Sequence, residues 1–158
     1  IGLPNAGKSS LLNSLTGARS KIGSYPFTTL DPSLGDYYGL ILADIPGLIE
    51  GAAEGKGLGH KFLRHIERTK ALIHCVSAED ADPISSYEIV VKELALYNKD
   101  IIKKTEIIVL TKTDTIEEAL KLERLKMLKT IGPEVLEVSI IDDESVKKLG
   151  NYLIKTFK

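Results

Sequence analysis

The stretch Gly2-Leu3-Pro4-Asn5-Ala6-Gly7-Lys8-Ser9 decides the fold, because it fits the pattern G-x-x-x-x-G-K-[ST]. The two glycines allow the backbone to curl so that successive N–H groups point inward at phosphate oxygens. A helix is predicted to follow from Lys8 to Thr16, and its N-terminus adds partial positive charge at the same place. The alternative is a chance glycine turn before a helix, and the helical context favours phosphate binding.

Two side chains of this phosphate loop (residues 2–9) are candidates for the chemistry. We expect Lys8 to reach the β- and γ-phosphates of a nucleotide. We expect Ser9 to place its hydroxyl on Mg²⁺, an ion that takes few protein ligands and keeps several waters. All of the loop and the next residue, Ser10, are predicted to contact the nucleotide.

Outward from this loop, strand-like and helix-like segments alternate. Strands separated by helices of this length indicate βαβ units. We expect an α/β fold with a mostly parallel six-stranded sheet, one strand antiparallel, and helices on both faces. The predicted strands are two within 34–44 with a turn near Gly39, then 71–76, 106–110 and 135–138. The predicted helices are 8–16, 58–68, 84–98, 116–130 and 142–157, and the predicted loops are 18–33 and 46–59.

The chain length of 158 residues predicts one domain. The phosphate loop ordinarily follows a buried strand, and only Ile1 precedes it here. We therefore expect the first strand to be largely missing and residues 1–158 to be a fragment of a longer protein.

Charge and cysteine usage exclude several functional classes. Lys and Arg number 21 against 22 Asp and Glu, for a net charge of -1. This balance gives no electrostatic case for DNA or membrane binding by the domain as a whole. Cys75 is the only cysteine, which excludes an intrachain disulfide and fits a reducing compartment. A cytoplasmic location is expected.

A second candidate site follows the predicted strand 106–110, in the segment Thr111-Lys112-Thr113-Asp114. A carboxylate there accepts two hydrogen bonds from guanine, whereas adenine would leave it unpaired. The Lys112 stem can lie over the base. A solvated turn capping the next helix is the alternative. Backbone N–H groups of Ser139-Ile140-Ile141 are candidates to reach the guanine oxygen, although any strand end looks similar.

Two further segments are candidate switches. Asp44-Ile45-Pro46-Gly47 ends a predicted strand, where the carboxylate can hold Mg²⁺ through water and the Gly47 N–H can meet the γ-phosphate. An ordinary strand-ending turn is the alternative. In the loop 18–33, a hydroxyl of Thr28 or Thr29 can complete the Mg²⁺ shell and close the loop on a γ-phosphate. A pair of threonines in a loop is common, so both interpretations stay open.

The chain resembles the GTPase domain of the Obg family over most of its length. The resemblance lies in GLPNAGKSSLLN, YPFTTLDPSLG, DIPGLIEGAAEGKGLGHKFLRHIERT and TKTD. It implies a Ras-like fold, Mg²⁺-dependent GTP hydrolysis, a role in large ribosomal subunit assembly and binding of ppGpp. Ser9 and Thr29 would be Mg²⁺ ligands. The first switch would comprise Phe27, Thr28, Thr29, Leu30 and Asp31.

The sequence departs from the family at two site positions. The family usually has Asn where this chain has Thr111, so guanine binding is expected to be kept but weaker. The family usually has Ala where this chain has Ile140, and the bulkier isoleucine is expected to affect the geometry of the loop.

Turnover is predicted to be slow. Ras-like proteins carry a water-orienting Gln where this chain has Leu48, so no side-chain general base is assigned. Lys8, the loop N–H groups and Gly47 would meet the developing charge. Related GTPases use the residue at Asn5 to hold K⁺. The alternatives are a nucleotide-sensing binding module with negligible turnover, and an ATPase of the related YchF type, against which Asp114 argues.

Overall fold

The computed structural model describes residues 1–17, 21–22, 33–45 and 66–158, which form six strands and four α-helices. The strands are β1 (Lys21–Ile22), β2 (Ser33–Tyr37), β3 (Leu40–Asp44), β4 (Ala71–Ser77), β5 (Thr105–Thr111) and β6 (Glu134–Glu137). The helices are α1 (Lys8–Thr16), α2 (Pro83–Tyr97), α3 (Glu118–Lys129) and α4 (Asp143–Phe157). Short 3₁₀ turns at Ile101–Lys103 and Thr113–Thr115 precede and follow β5.

A parallel sheet in the order β4-β5-β6 forms the centre of the fold. The β4–β5 register runs from Ala71 opposite Thr105 to Ser77 opposite Thr111. The central strand has a run of four buried apolar residues, 107–110, as expected for a parallel strand covered on both faces. The predicted βαβ arrangement is confirmed for these three strands.

The first three strands in the chain form a separate antiparallel sheet in the order β1-β2-β3. The predicted hairpin is present, and Tyr38 and Gly39 form its turn with φ of 50° and 88°. Asp36 accepts a hydrogen bond from the Gly39 N–H at 2.7 Å. Two positive φ values match the right-handed twist of the paired strands. The prediction of a loop over 18–33 missed β1, a two-residue strand paired with β2.

The described strands form two sheets of three rather than the single six-stranded sheet we expected. Between them, the Ile1 nitrogen donates to the Ile73 carbonyl and the Cys75 N–H donates to the Ile1 carbonyl, both at 2.9 Å. Ile1 thus pairs with β4 as one residue of a parallel strand. A groove of about 320 Å³ lies beside it, lined by residues of β2, β3 and β4.

Apolar side chains cover both faces of the parallel sheet. On one face, Val76, Ile108 and Leu110 pack with Leu128 of α3. On the other, Cys75, Ile107 and Val109 pack with α1 and α4, through Leu11, Leu15, Val146, Leu149 and Leu153. Cys75 is buried, and burial raises the pKa of its thiol. These layers fix the strand ends, where the candidate site lies.

Several predictions fall beyond this part of the chain. The helix 58–68 lies mostly outside the described residues, as does the loop 46–59. Within the described residues, no helix has the length and apolar character needed to cross a membrane.

Candidate functional site

The phosphate loop is a tight turn that requires glycine. Gly2, Asn5 and Gly7 have positive φ values of 148°, 63° and 78°. A Cβ on Gly2 would lie 2.4 Å from the Cys75 carbonyl oxygen, so only glycine fits where the loop crosses β4. Helix α1 starts at Lys8 with Gly7 as its cap and no capping side chain. Its first-turn N–H groups therefore suit an anion.

The Lys8 ammonium is held inside this loop. Its Nζ donates to the Gly2 carbonyl at 2.9 Å and to the Leu3 carbonyl at 2.7 Å. Burial lowers the pKa of Lys8, and the nearby Asp44 carboxylate offsets part of this effect. The loop thus concentrates one positive charge beside the N-terminus of α1.

Ser9 and Asp44 meet at the mouth of the loop. The Ser9 hydroxyl donates to Asp44 Oδ2. The other carboxylate oxygen, Oδ1, is buried and has no hydrogen-bond partner among the residues that the structure describes. An unpaired carboxylate oxygen beside a hydroxyl is a donor set that suits Mg²⁺. Within the described ranges, no group of three or more His, Cys, Asp or Glu side chains converges to hold a metal ion.

Thr111 ties the two ends of the site together. Its hydroxyl lies 2.9 Å from the Ala6 carbonyl oxygen and 3.2 Å from that of Val76. The side chain is buried, and a Cβ on Gly7 would lie 3.5 Å from its Oγ1. The threonine that departs from the family pattern therefore directs its hydroxyl at the backbone of the phosphate loop and of β4.

Asp114 is oriented by Ser139. The Ser139 hydroxyl donates to Asp114 Oδ1 at 2.5 Å, and it accepts from the Ile141 N–H at 3.3 Å. Ser145 in the first turn of α4 holds Ser139 in turn: its Oγ accepts from the Ser139 N–H at 3.1 Å and donates to its carbonyl. The carboxylate is exposed and keeps acceptor capacity for other groups.

The side chains of Ile140 and Ile141 point to solvent, with 47% and 76% of their surfaces exposed. The bulk of Ile140 thus does not crowd the backbone of the loop. Ile45 is the opposite case, since its side chain is buried with Ile1 and Leu72. Only the backbone of Ile45 is available to a ligand.

The structure brings together most of the predicted site residues at one edge. The phosphate loop follows Ile1, which pairs with β4, while Thr111 ends β5, Lys112–Asp114 come directly after it, and Ser139–Ile141 follow β6. Ligands of parallel α/β sheets bind at such carboxyl ends. The remaining predicted residues lie outside the described part of the chain: Phe27, Thr28, Thr29, Leu30, Asp31, Pro46 and Gly47.

Sequence reasoning missed two residues that support this site. Ser145 holds the Ser139 loop, and Glu79 pairs with Lys112 at 2.6 Å. Ser145 could have been predicted, because a serine in the first turn of a helix that follows a strand often hydrogen-bonds to nearby backbone groups. An acidic residue just past the end of β4 was a weaker signal for Glu79.

Three comparisons bear on what this site is. A family model described as 50S ribosome-binding GTPase matches residues 1–112. GTPase Obg of Sulfurihydrogenibium sp. is 50% identical and that of Flavobacterium psychrophilum is 52% identical, over 99% and 97% of this chain. The chain spans 48% of each of these relatives. The cytosolic domain of the T. maritima FeoB iron transporter, in a GDP form, has a TM-score of 0.70 at 25% identity, covering 98% of this chain and 60% of that one.

Proposed function

The chain belongs to the Obg family of GTPases, and from that premise we propose that it binds GTP and GDP as a switch and slowly hydrolyses GTP to GDP and phosphate. Residues 1–158 act as one GTP-binding domain. The observation that supports this most directly is the Thr111 hydroxyl on the Ala6 carbonyl, 2.9 Å away. It links the loop suited to phosphates to the segment that carries Asp114.

The base end selects guanine through Asp114. Its carboxylate would accept hydrogen bonds from the ring N–H and the exocyclic amine of guanine. Adenine has no such amine and would leave the carboxylate facing an acceptor, which costs binding free energy. Ser139 holds the carboxylate, and the Lys112 stem lies over the base.

The phosphate end supplies positive charge and N–H groups. Lys8 meets the β- and γ-phosphates, as do the first-turn N–H groups of α1. Ser9, and Asp44 through water, would hold Mg²⁺, which neutralises charge on the phosphates when bound. Thr29 and the Gly47 N–H complete this end of the site as part of the same proposal.

Turnover is slow because Leu48 stands at the position of the water-orienting Gln and has no hydrogen-bonding group. We assign K⁺ binding to Asn5, an exposed residue of the phosphate loop in the left-handed conformation. A cation there would add to the charge of Lys8. The alternative of a sensing module with negligible turnover remains for the experiment to decide.

The large ribosomal subunit is the proposed partner, and the description of the matching family model supports it. We further propose that ppGpp competes for the same site and that the protein acts in the cytoplasm. The base and the 5′-diphosphate of ppGpp are those of GDP, so Asp114, Lys8 and the phosphate loop would make the same contacts with it.

A thermal melt of the 158-residue chain with Mg²⁺ tests the base selectivity. GDP at about 100 times its Kd stabilises the folded state by about 2.7 kcal/mol. For a domain of this size we expect a rise in Tm of about 5–10 °C. ADP at the same concentration should give no shift. An equal shift with ADP would contradict guanine selectivity and favour the ATPase alternative.

A matched pair of variants locates the effect. Asp114→Ala should lose the GDP shift, whereas Asp100→Ala should keep it, because Asp100 is exposed and pairs only locally with Lys103. Phosphate release in KCl and NaCl then tests turnover. Faster release in KCl, lost in Asn5→Ala, supports the K⁺ site; equal rates in both salts exclude it, and no release at all favours the sensing module.

A further inference from the structure

A surface ion pair joins the base-binding segment to the turn after β4. Glu79 Oε2 lies 2.6 Å from Lys112 Nζ. The two side chains are 48% and 33% exposed, respectively. Exposed pairs of this kind contribute little to folding stability. The effect of the pair on the position of the Lys112 side chain is therefore of more interest than its effect on folding stability.

The backbone on the Glu79 side is fixed independently of the pair. The Ala78 N–H donates to the Thr111 carbonyl at 2.8 Å, and the Glu79 N–H donates to Ser77 Oγ at 3.1 Å. The carbonyl of Asp80 accepts from the guanidinium of Arg124, a buried residue of α3. Glu79 thus projects from a turn anchored to β5 and to α3.

The backbone of Lys112 is fixed as well. Lys112 has a φ of 55°, a left-handed conformation that is uncommon for residues other than glycine. Its carbonyl accepts from the Thr115 N–H at 3.1 Å and from Thr115 Oγ1 at 2.8 Å. With both backbones held, the four-carbon stem of Lys112 is the flexible part, and Glu79 restrains its far end.

We infer that Glu79 is a positioning residue that holds the Lys112 side chain ready to cover the guanine base. This inference rests on the proposed function, in which the Lys112 stem lies over the base. A free lysine loses rotamer entropy when it is ordered against a ligand, and a lysine restrained beforehand loses less. Removing the Glu79 carboxylate should therefore weaken guanine nucleotide binding while leaving folding nearly unchanged.

Titration calorimetry of Mg²⁺-GDP against Glu79→Gln tests the inference. We expect the Kd to rise about 2- to 10-fold, with the Tm of the nucleotide-free protein unchanged within a degree or two. Glu79→Asp, which keeps the charge, should lose less affinity than Glu79→Ala. The matched control is Glu88→Gln, which removes an exposed Glu–Lys pair on α2, 3.5 Å long, and should leave the Kd unchanged.

A double-mutant cycle separates positioning from any other role of Glu79. Lys112→Met keeps the stem without its charge, and Glu79→Gln should add no further loss in that background. An equal loss of GDP affinity in both backgrounds, or no loss in either, would overturn the inference. Tighter GDP binding by Glu79→Gln would also overturn it, because Glu79 would then hold Lys112 away from the base. Failure of the unsubstituted chain to bind GDP would instead overturn the proposed function and this inference with it.

Discussion

A single hydroxyl on Thr111 couples the base segment to the phosphate loop. Both of its hydrogen-bond acceptors are main-chain carbonyls, of Ala6 and Val76, and the side chain is 3% exposed. Valine has nearly the same shape but no donor. It would leave the carbonyls of Ala6 and Val76 without the one O–H donor that they share, a change that costs about 1–3 kcal/mol.

We therefore expect Thr111→Val to lower the free energy of unfolding by about 1–3 kcal/mol and to weaken GDP binding, because the phosphate loop loses its tether. Urea unfolding and calorimetry measure the two effects. Thr130→Val is the control, since the Thr130 hydroxyl makes a comparable bond to the Met127 carbonyl at an exposed helix end. Equal stability losses in the two variants would contradict the special role of Thr111.

At this same scale, the sequence motif predicted that Thr111 belongs to the site, but it did not predict the direction of the Thr111 hydroxyl. Its partners Ala6 and Val76 lie 105 and 35 residues away in the chain. The local pattern of polar residues after a strand carries no information on such contacts. Glu79 was missed because the local signal for it was weak and its significance depends on Lys112, 33 residues later.

At the scale of elements, β2 and α1 approach each other so closely that a methyl group does not fit between them. A Cβ on Gly35 would lie 2.3 Å from Thr16 Cγ2 and 3.0 Å from Leu12 Cδ1. Thr16 is buried and branched at Cβ, and its hydroxyl bonds the Leu12 carbonyl at 2.8 Å. It therefore has little freedom to move away.

Gly35→Ala should destabilise the fold by about 1–3 kcal/mol through overpacking. The cost should be smaller when the same change is made in a Thr16→Ala protein, where the obstructing methyl group is gone. Urea unfolding of the four proteins of this cycle gives both values. The same cost in both backgrounds would show that contact with Thr16 is not the cause.

The element boundaries show which local signals suffice. Helix α1 has the predicted bounds, Lys8–Thr16, because glycines delimit it at both ends. Helix α3 was predicted from residue 116 but begins at Glu118, since Thr113–Thr115 first form a 3₁₀ turn closed by Thr115 on the Lys112 carbonyl. Strand β1 has only two residues and no periodicity, so its pairing with β2 was not predictable.

At the scale of the whole molecule, a buried histidine links the parallel sheet to α2. His74 is fully buried, with Nδ1 2.9 Å from Glu106 Oε1 and its ring stacked on Tyr87 at 4.5 Å. The Tyr87 hydroxyl donates to the other Glu106 oxygen at 2.8 Å. Burial lowers the pKa of His74 from its ordinary value of 6.5, against the raising effect of Glu106, and within the described part of the chain its Nε2 has no hydrogen-bond partner.

Stability should therefore fall in acid. Because burial in the folded protein disfavours protonation of His74, the unfolded chain binds more protons than the folded protein below pH 6.5. His74 therefore does not reduce the free energy of unfolding above pH 6.5, and it reduces it increasingly as the pH falls below that value. One such group changes the free energy of unfolding by at most about 1.4 kcal/mol per pH unit. Urea unfolding from pH 7.5 to 5.5 should show a shallower decline for His74→Gln. Parallel declines would exclude His74 as the source.

The arrangement of the sheets marks the limit of what local patterns predicted for the whole fold. Alternation of strands and helices indicated the parallel sheet, and β4, β5 and β6 confirm it. The division of the described strands into two sheets was not predicted, and neither was the backbone pairing of Ile1 with β4. Local sequence patterns predict where strands lie, but they do not predict which strands are hydrogen-bonded to one another.

The burial of Cys75 makes this chain convenient for optical reporters. The only thiol of the sequence lies between β4 and the helices α1 and α4, with its pKa raised, so alkylating dyes react with it slowly. One cysteine introduced on the surface would carry a fluorophore without first removing the native one. The chain also has no tryptophan, so a tryptophan introduced beside Asp114 would supply its only indole fluorescence.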